Sequence, residues 1–411
     1  MSVEALGKQL EHRLLAERTE ASARFFPAEA ERIARLCHRM AERFARGGRL
    51  IAFGSSPAER SDVRHVAVEF VHPVIVGKRA LPAIGLAHEG GPLPRQAELV
   101  CEPDDVAMAF GAHPETIEAL RIAAGRRCLT VAFGPLEADW AFEPPSDDAF
   151  VRQELVETLY HVLWELVHVF FEHRGLLAGR EARTVHDTGA SSFLYPFLGE
   201  SEHDLEAVLE DVRRSVVMKA EEVGALREQT LTEGGGTLLA AAGALRSSFE
   251  AGGKLLALGN GGSATDAMDC VADFREPPAR PGRDGPAGGS AWTPRRALDL
   301  TEDPAILTAI ANDIGTEAIF QRQVIAYGRE RDAVLALSTS GNSANVIAAL
   351  REARARGLAT VAMVGYDGGR VAAEALADHV VVTRSEHIPR IQEAQASAYH
   401  ALRELVEVAA E

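Results

Sequence analysis

Two short stretches of this 411-residue chain have the composition needed to hold a phosphate. After the apolar run Leu255 to Leu258 comes Gly259-Asn-Gly-Gly-Ser-Ala-Thr-Asp266, and after Val334 to Leu337 comes Ser338-Thr-Ser-Gly-Asn-Ser343. Both are expected to leave a strand and open a helix. Glycines let backbone approach an anion, hydroxyls supply neutral donors, and the free N-H groups and dipole at a helix start favour negative charge. Either loop alone is accounted for by ordinary helix capping. Two of them at the carboxyl ends of parallel strands are expected to converge on one ligand.

The elements that must position these loops repeat along the chain. Phe44-Ala-Arg-Gly-Gly-Arg-Leu-Ile-Ala-Phe-Gly54 matches Phe249-Glu-Ala-Gly-Gly-Lys-Leu-Leu-Ala-Leu-Gly259: a helix end, a Gly-Gly stop, a basic residue and an apolar strand closed by glycine. Gln153-Glu-Leu-Val-Glu-Thr-Leu-Tyr-His161 parallels Gln392-Glu-Ala-Gln-Ala-Ser-Ala-Tyr-His400. Between these markers, Asp105 to Phe110, Leu129 to Phe133, Asp332 to Leu337 and Thr360 to Val364 read as buried strands separated by helical stretches. Alternating strands and helices predict parallel α/β sheets. The expected organisation is a domain over 1–174, a Gly/Ser-rich linker over 175–203, and a second domain over 204–411 whose first helix begins near Asp204. A second copy could also serve packing alone.

Composition narrows the function classes. Forty-three basic against 60 acidic side chains give a net charge of -17, which repels nucleic-acid backbones and anionic membranes. Neither is expected as a partner. Cys37, Cys101, Cys128 and Cys270 stand singly, without zinc or redox spacing, which fits a reducing, cytoplasmic setting. The N-terminal stretch is amphipathic and lacks a signal-peptide core. The most apolar run, Leu155 to Phe171, carries Glu157, His161, Glu165 and His168, so it is read as a buried helix and not a membrane span.

GNGGSATDAM, AIANDIGTEAIF, STSGNSANVI and the late RIQE…YH together resemble the phosphoheptose isomerase branch of the SIS (sugar isomerase) family over roughly residues 205–411. The resemblance implies two tandem SIS-type three-layer α/β/α domains with parallel sheets, the N-terminal one divergent. It implies a phosphorylated sugar held by Asn260, Gly261, Gly262, Ser263, Asn312, Asp313, Ser338, Thr339, Ser340, Ser343 and Gln392, with the serine loop on the phosphate. It also implies a divalent metal, zinc in the family pattern, held by a His and a Glu one helical turn apart plus a late Gln and His. In the C-terminal copy the first pair is replaced by Asp269 and Asp273, which favours harder metals beside Gln392 and His400. The N-terminal copy keeps His65, Glu69, Gln153 and His161. However, its loops, Gly54-Ser-Ser-Pro-Ala58 and Gly111-Ala-His-Pro-Glu-Thr116, have lost the phosphate chemistry, and Arg79 to Cys101 is too short to hold a counterpart of Asn312-Asp313. One half thus looks equipped for a metal and the other for a phosphate. A straight helix would separate Gln153 from His161 by about 12 Å, a reach one ion bridges only barely.

The activity implied is ketose-aldose isomerisation of sedoheptulose 7-phosphate or a similar phosphosugar through a metal-stabilised enediolate. Glu69 with His161 is the preferred acid/base pair and Asp273 with His400 the second. The alternative is a non-catalytic phosphosugar-binding regulator or assembly factor. Because family members assemble as four single SIS units, a tandem chain is expected to form a homodimer. His12, His113, His186, His203 and His387 have no comparable partners.

Overall fold

The computed structural model describes residues 3–74, 78–87, 90–173, 176–177, 204–278 and 292–407, with the side chains of 3–14 excepted. Apart from 176–177, the stretch expected to be a linker lies outside the described residues, as do His186 and His203. The first part of the chain runs α1 (Val3–Ala45), β1 (Leu50–Gly54), α2 (Pro57–Val71), β2 (Ala83–Leu86), α3 (Leu93–Val100), β3 (Val106–Phe110), α4 (Pro114–Gly125), β4 (Leu129–Phe133), β5 (Trp140–Phe142) and α5 (Ala149–Glu172). The second runs α6 (Leu205–Glu250), β6 (Leu255–Leu258), α7 (Gly262–Arg275), β7 (Ala297–Asp299), α8 (Pro304–Asp313), a 3-10 turn (Thr316–Ala318) and α9 (Ile319–Tyr327). It closes with β8 (Ala333–Ser338), α10 (Ala344–Ala355), β9 (Ala359–Gly365), α11 (Gly369–Ala373), β10 (His379–Thr383) and α12 (Ile388–Glu407).

Each part builds a five-stranded, all-parallel sheet with the same strand order. The first is β2-β1-β3-β4-β5; the second, read from its other edge, is β7-β6-β8-β9-β10. This is an α/β fold whose strand order reverses between the first and third strands, the switch point where such sheets take ligands. The same local devices recur in both sheets. A Cβ on Gly48 would meet the Asp104 carbonyl oxygen at 2.1 Å, and one on Gly253 would meet that of Arg331 at 2.1 Å, so only glycine lets the chain enter β1 and β6. Arg49 N donates to Asp105 Oδ1 at 2.8 Å, and Lys254 N to Asp332 Oδ1 at 3.0 Å. Thr130 and Asp139 exchange hydrogen bonds at the start of β4, as Thr360 and Asp378 do at the start of β9.

Compactness groups the chain differently from its linear order. One unit comprises Met1–Glu20, Ser146–Glu154 and Glu222–Glu411; the other comprises Ala21–Pro145 and Leu155–Glu221. They are called the C-terminal and N-terminal units below. Helices α1, α5 and α6 contribute residues to both. The longest, with 46 residues, extends about 69 Å at 1.5 Å per residue, more than one small domain can bury.

In the C-terminal unit, alternate strand residues feed opposite layers, as the period of a strand requires. Leu255, Ala257, Leu335, Leu337, Val361 and Met363 pack with α6, α7 and α12. Leu256, Leu258, Val334, Ala336, Ala362 and Val364 pack with α9, α10 and α11. In the N-terminal unit, Ile51, Phe53, Ala107, Ala109 and Ala132 pack against α3 and α4. The apolar run in α5 is buried along its length, and among the described residues no helix is long and apolar enough to cross a membrane.

Candidate functional site

Within the C-terminal unit the two loops expected to hold phosphate leave adjacent strands, β6 and β8, at the switch point of the sheet. Gly261, at φ 56°, is the N-cap of α7. Ser343 is the N-cap of α10, its side chain making no capping bond. A reciprocal amide pair ties the loops together: Asn260 Nδ2 donates to Asn345 Oδ1 at 2.9 Å, and Asn345 Nδ2 to Asn260 Oδ1 at 2.8 Å. Inside the serine loop, Gly341 N donates to Ser338 Oγ (3.2 Å) and Asn342 N to Ser340 Oγ (3.2 Å). The loops are therefore pre-shaped, with hydroxyls beside two helix starts, which suits an anion. Asn312 and Asp313 end α8, exposed, with Asn312 Nδ2 on Asp313 Oδ1 at 2.8 Å.

The helix that starts at the first loop also carries Asp269 and Asp273, both buried. With His400 of α12 they bring three ligand atoms within 4.8 Å of one another. His400 Nε2 lies 3.5 Å from Asp269 Oδ2 and 3.5 Å from Asp273 Oδ2. Its other nitrogen, Nδ1, bonds Glu154 Oε1 at 2.8 Å. Tyr399 donates to Asp269 Oδ2 (2.8 Å), and Gln153 Nε2 to Asp269 Oδ1 (2.8 Å). Burial alone would push the His400 imidazole down, but the facing carboxylates of Asp269, Glu154 and Asp273 outweigh it and raise it to about 10. Two carboxylates and an imidazole nitrogen converging in a buried place fit a divalent cation, which would take over the charge that the proton now balances. Gln392 lies eight residues before His400 on α12, about 12 Å along the axis, and is also buried.

A second cluster lies in the N-terminal unit. His65 and Glu69, one turn apart on α2, meet His161 of α5 with three ligand atoms within 4.8 Å. His65 Nε2 stands 3.3 Å from His161 Nε2 and 3.9 Å from Glu69 Oε1. Two imidazoles and a carboxylate gathered this closely suit zinc, whose sites are built from such ligands. Gln153, expected here as a fourth ligand, has its amide nitrogen on Asp269 instead, because a helix carries it two turns away from His161.

The first loop of the N-terminal unit has a feature that residue types alone did not suggest. Glu59, in the first turn of α2, folds back so that its Oε2 accepts from Ser55 N (2.7 Å) and Ser56 N (2.9 Å), while Ser56 Oγ accepts from Glu59 N. This capping box consumes the donors an anion would use. The carboxylate lies flat on Gly111, at the start of the second loop, where an added Cβ would meet Glu59 Oε1 at 1.7 Å. The Ser56-x-x-Glu59 spacing is the signal that would have found it. His113 caps α4 through its ring, accepting from Glu115 N at 3.4 Å.

Residues 220–365 match the SIS domain model. Over 207 residues, half of this chain, the sequence is 40% identical to phosphoheptose isomerase from Roseiflexus sp. (strain RS-1), covering 90% of that protein. It is likewise 40% identical over 190 residues to phosphoheptose isomerase from Chlorobium limicola, covering 81% of it. Among solved structures, the C-terminal domain of glucosamine-fructose-6-phosphate aminotransferase from Francisella tularensis superposes with a TM-score of 0.56 over 97% of this chain and 95% of that one, at 11% identity. Tagatose-6-phosphate ketose/aldose isomerase from Escherichia coli gives 0.53 over 97% and 91%, at 13% identity. At those identities the likeness speaks for the fold of the whole chain, two sheets included. With 40% identity across nine-tenths of a complete relative, the chain belongs to the phosphoheptose isomerase family of SIS-domain proteins.

Proposed function

We propose that this protein is a sugar-phosphate isomerase acting on sedoheptulose 7-phosphate or a closely similar phosphosugar, with its ligand in the C-terminal unit. One observation carries the reading: the glycine loop, tied to the serine loop through Asn260 and Asn345, opens helix α7, and that helix also carries Asp269 and Asp273, which meet His400. The Ser338–Ser343 loop takes the phosphate, and Asn260 exchanges its Asn345 partner for the sugar. Aldose-ketose interchange moves one proton between adjacent carbons and one between the attached oxygens. Without an ion, Asp273 would take the carbon-bound proton and His400, through Nε2, would serve the oxygens. When bound, a divalent ion held by Asp269, Asp273 and His400 would instead supply positive charge for the oxygen on which negative charge develops. The His65, Glu69 and His161 cluster is a second candidate metal position, and Glu69 with His161 the rival acid/base pair.

Asp269 accepts hydrogen bonds from both Gln153 and Tyr399, so it is satisfied without an ion, which favours the second reading, a phosphosugar-binding regulator. Metal content and turnover of sedoheptulose 7-phosphate by the purified chain, set against His65→Ala and Asp269→Ala, separate the two. Turnover that Asp269→Ala abolishes is expected; tight phosphosugar binding without turnover would replace the enzyme reading by the regulator. The tandem chain is expected to form a homodimer, measurable as its mass by light scattering.

A further inference from the structure

We propose that Glu154, clamped by Arg18, is a positioning residue that turns the His400 imidazole so that Nε2 faces Asp269 and Asp273. The proposal rests on the reading of those three residues as a cation site. Glu154 is fully buried on the first turns of α5, and each of its oxygens is engaged. Arg18 Nε lies 2.9 Å from both Oε1 and Oε2, with Nη2 2.8 Å from Oε1. Ser397 Oγ donates to Oε2 at 2.6 Å, and His400 Nδ1 stands 2.8 Å from Oε1. A carboxylate held ionised by a buried guanidinium can only accept, so Nδ1 must be the donor. The neutral imidazole then carries its lone pair at Nε2, the atom that lies 3.5 Å from each aspartate.

Two neighbours of Glu154 act on the same group. Phe150, one turn earlier, stacks on the imidazole with centroids 4.3 Å apart and planes 8° from parallel, which fixes the ring's plane. Gln153 holds Asp269. Asp148 starts the helix by accepting from Phe150 N and Val151 N at 2.9 and 3.3 Å, so one turn of α5 delivers all three side chains at fixed spacing. A carboxylate behind a liganding histidine both fixes its tautomer and raises its basicity, and removing such a partner lowers metal affinity 10- to 100-fold.

Removing Glu154 alone would strand a buried Arg18, so the informative variant is Arg18→Met with Glu154→Met, which deletes both charges at similar volume. The experiment titrates Co2+ into the chelator-stripped full chain, read by calorimetry and the visible absorption of the ion, in a His65→Gln background that silences the other cluster. The double variant, with unchanged circular dichroism, is expected to bind Co2+ about 10- to 100-fold more weakly than its parent, and Glu154→Gln, which still accepts from Nδ1 and keeps Arg18 partnered, measurably but less than tenfold more weakly, as is Phe150→Leu, which removes the stacked ring. Equal affinity in parent and double variant overturns the positioning role while leaving the cation site standing. If the double variant does not fold, unchanged affinity in Glu154→Gln together with unchanged affinity in Phe150→Leu overturns it. A parent that takes up no Co2+ strikes down the cation site itself, and this inference with it.

Discussion

The two units use the same strand order, but the crevice at the switch point is treated oppositely. In the N-terminal unit a residue of the protein, Glu59, sits with its carboxylate on the two N-H groups at the start of α2 and against bare Gly111. In the C-terminal unit the same loop position is Ala264, which has no carboxylate to fold back onto the helix start. The difference teaches that a helix start built for an anion does not stay vacant cheaply. It is either supplied from outside, as the C-terminal loops invite, or satisfied internally by a side chain, which stabilises the helix and closes the crevice to ligand.

The sharpest way to break the comparison is at the acid/base pairs. Asp273→Asn is expected to lower turnover by about 100-fold or more, within the range for a general acid/base group, while Glu69→Gln lowers it less than tenfold. The reverse result would move the chemistry to the other unit. Moving the internal carboxylate comes next: Ala264→Glu is expected to weaken phosphosugar binding in isothermal titration by at least tenfold with the fold retained, and undiminished binding would refute the equivalence of the two loops. Stability against pH should expose a further asymmetry. Burial, aided by nearby Lys78, pushes His168 down to about 4 although two carbonyls, Trp164 O and Arg79 O, partly oppose it. The unfolded histidine, near 6.5, binds the proton more readily, so His168 contributes its full stability above that pH and loses it as pH falls toward 4, by roughly 3 kcal/mol. Urea midpoints at pH 7 and 4.5, with His168→Gln flattening the slope, test this. The smallest effect is at the plug itself: Glu59→Ala is expected to cost about 1 kcal/mol by denaturant unfolding, the usual worth of a cap.

Much of the fold was legible because its signals are local. The runs at β1, β3 and β6 are uninterrupted apolar stretches bounded by glycine or turn residues, and their repetition along the chain announces two sheets. The candidate phosphate loops were legible for the same reason, each being continuous in sequence. The candidate cation site was only half legible. Asp269 and Asp273 declare themselves by one-turn spacing, but Gln153 reads by position as a partner of His161, and only the rise of a helix denies it. Arg18 and Glu154 carried no signal at all. They lie 136 residues apart in sequence, and a buried ion pair looks in sequence like two surface residues.

The contribution of the first 154 residues to the C-terminal unit alters what a boundary drawn at residue 204 would mean. A fragment cut there would align with nine-tenths of a whole relative and still lack the stacking ring, the amide, the carboxylate and the guanidinium that surround His400. Similarity to a complete enzyme would then be a poor guide to self-sufficiency. In this polypeptide the half that looks degenerate is also a donor of parts, and selection on those parts can preserve it whether or not it ever binds anything of its own.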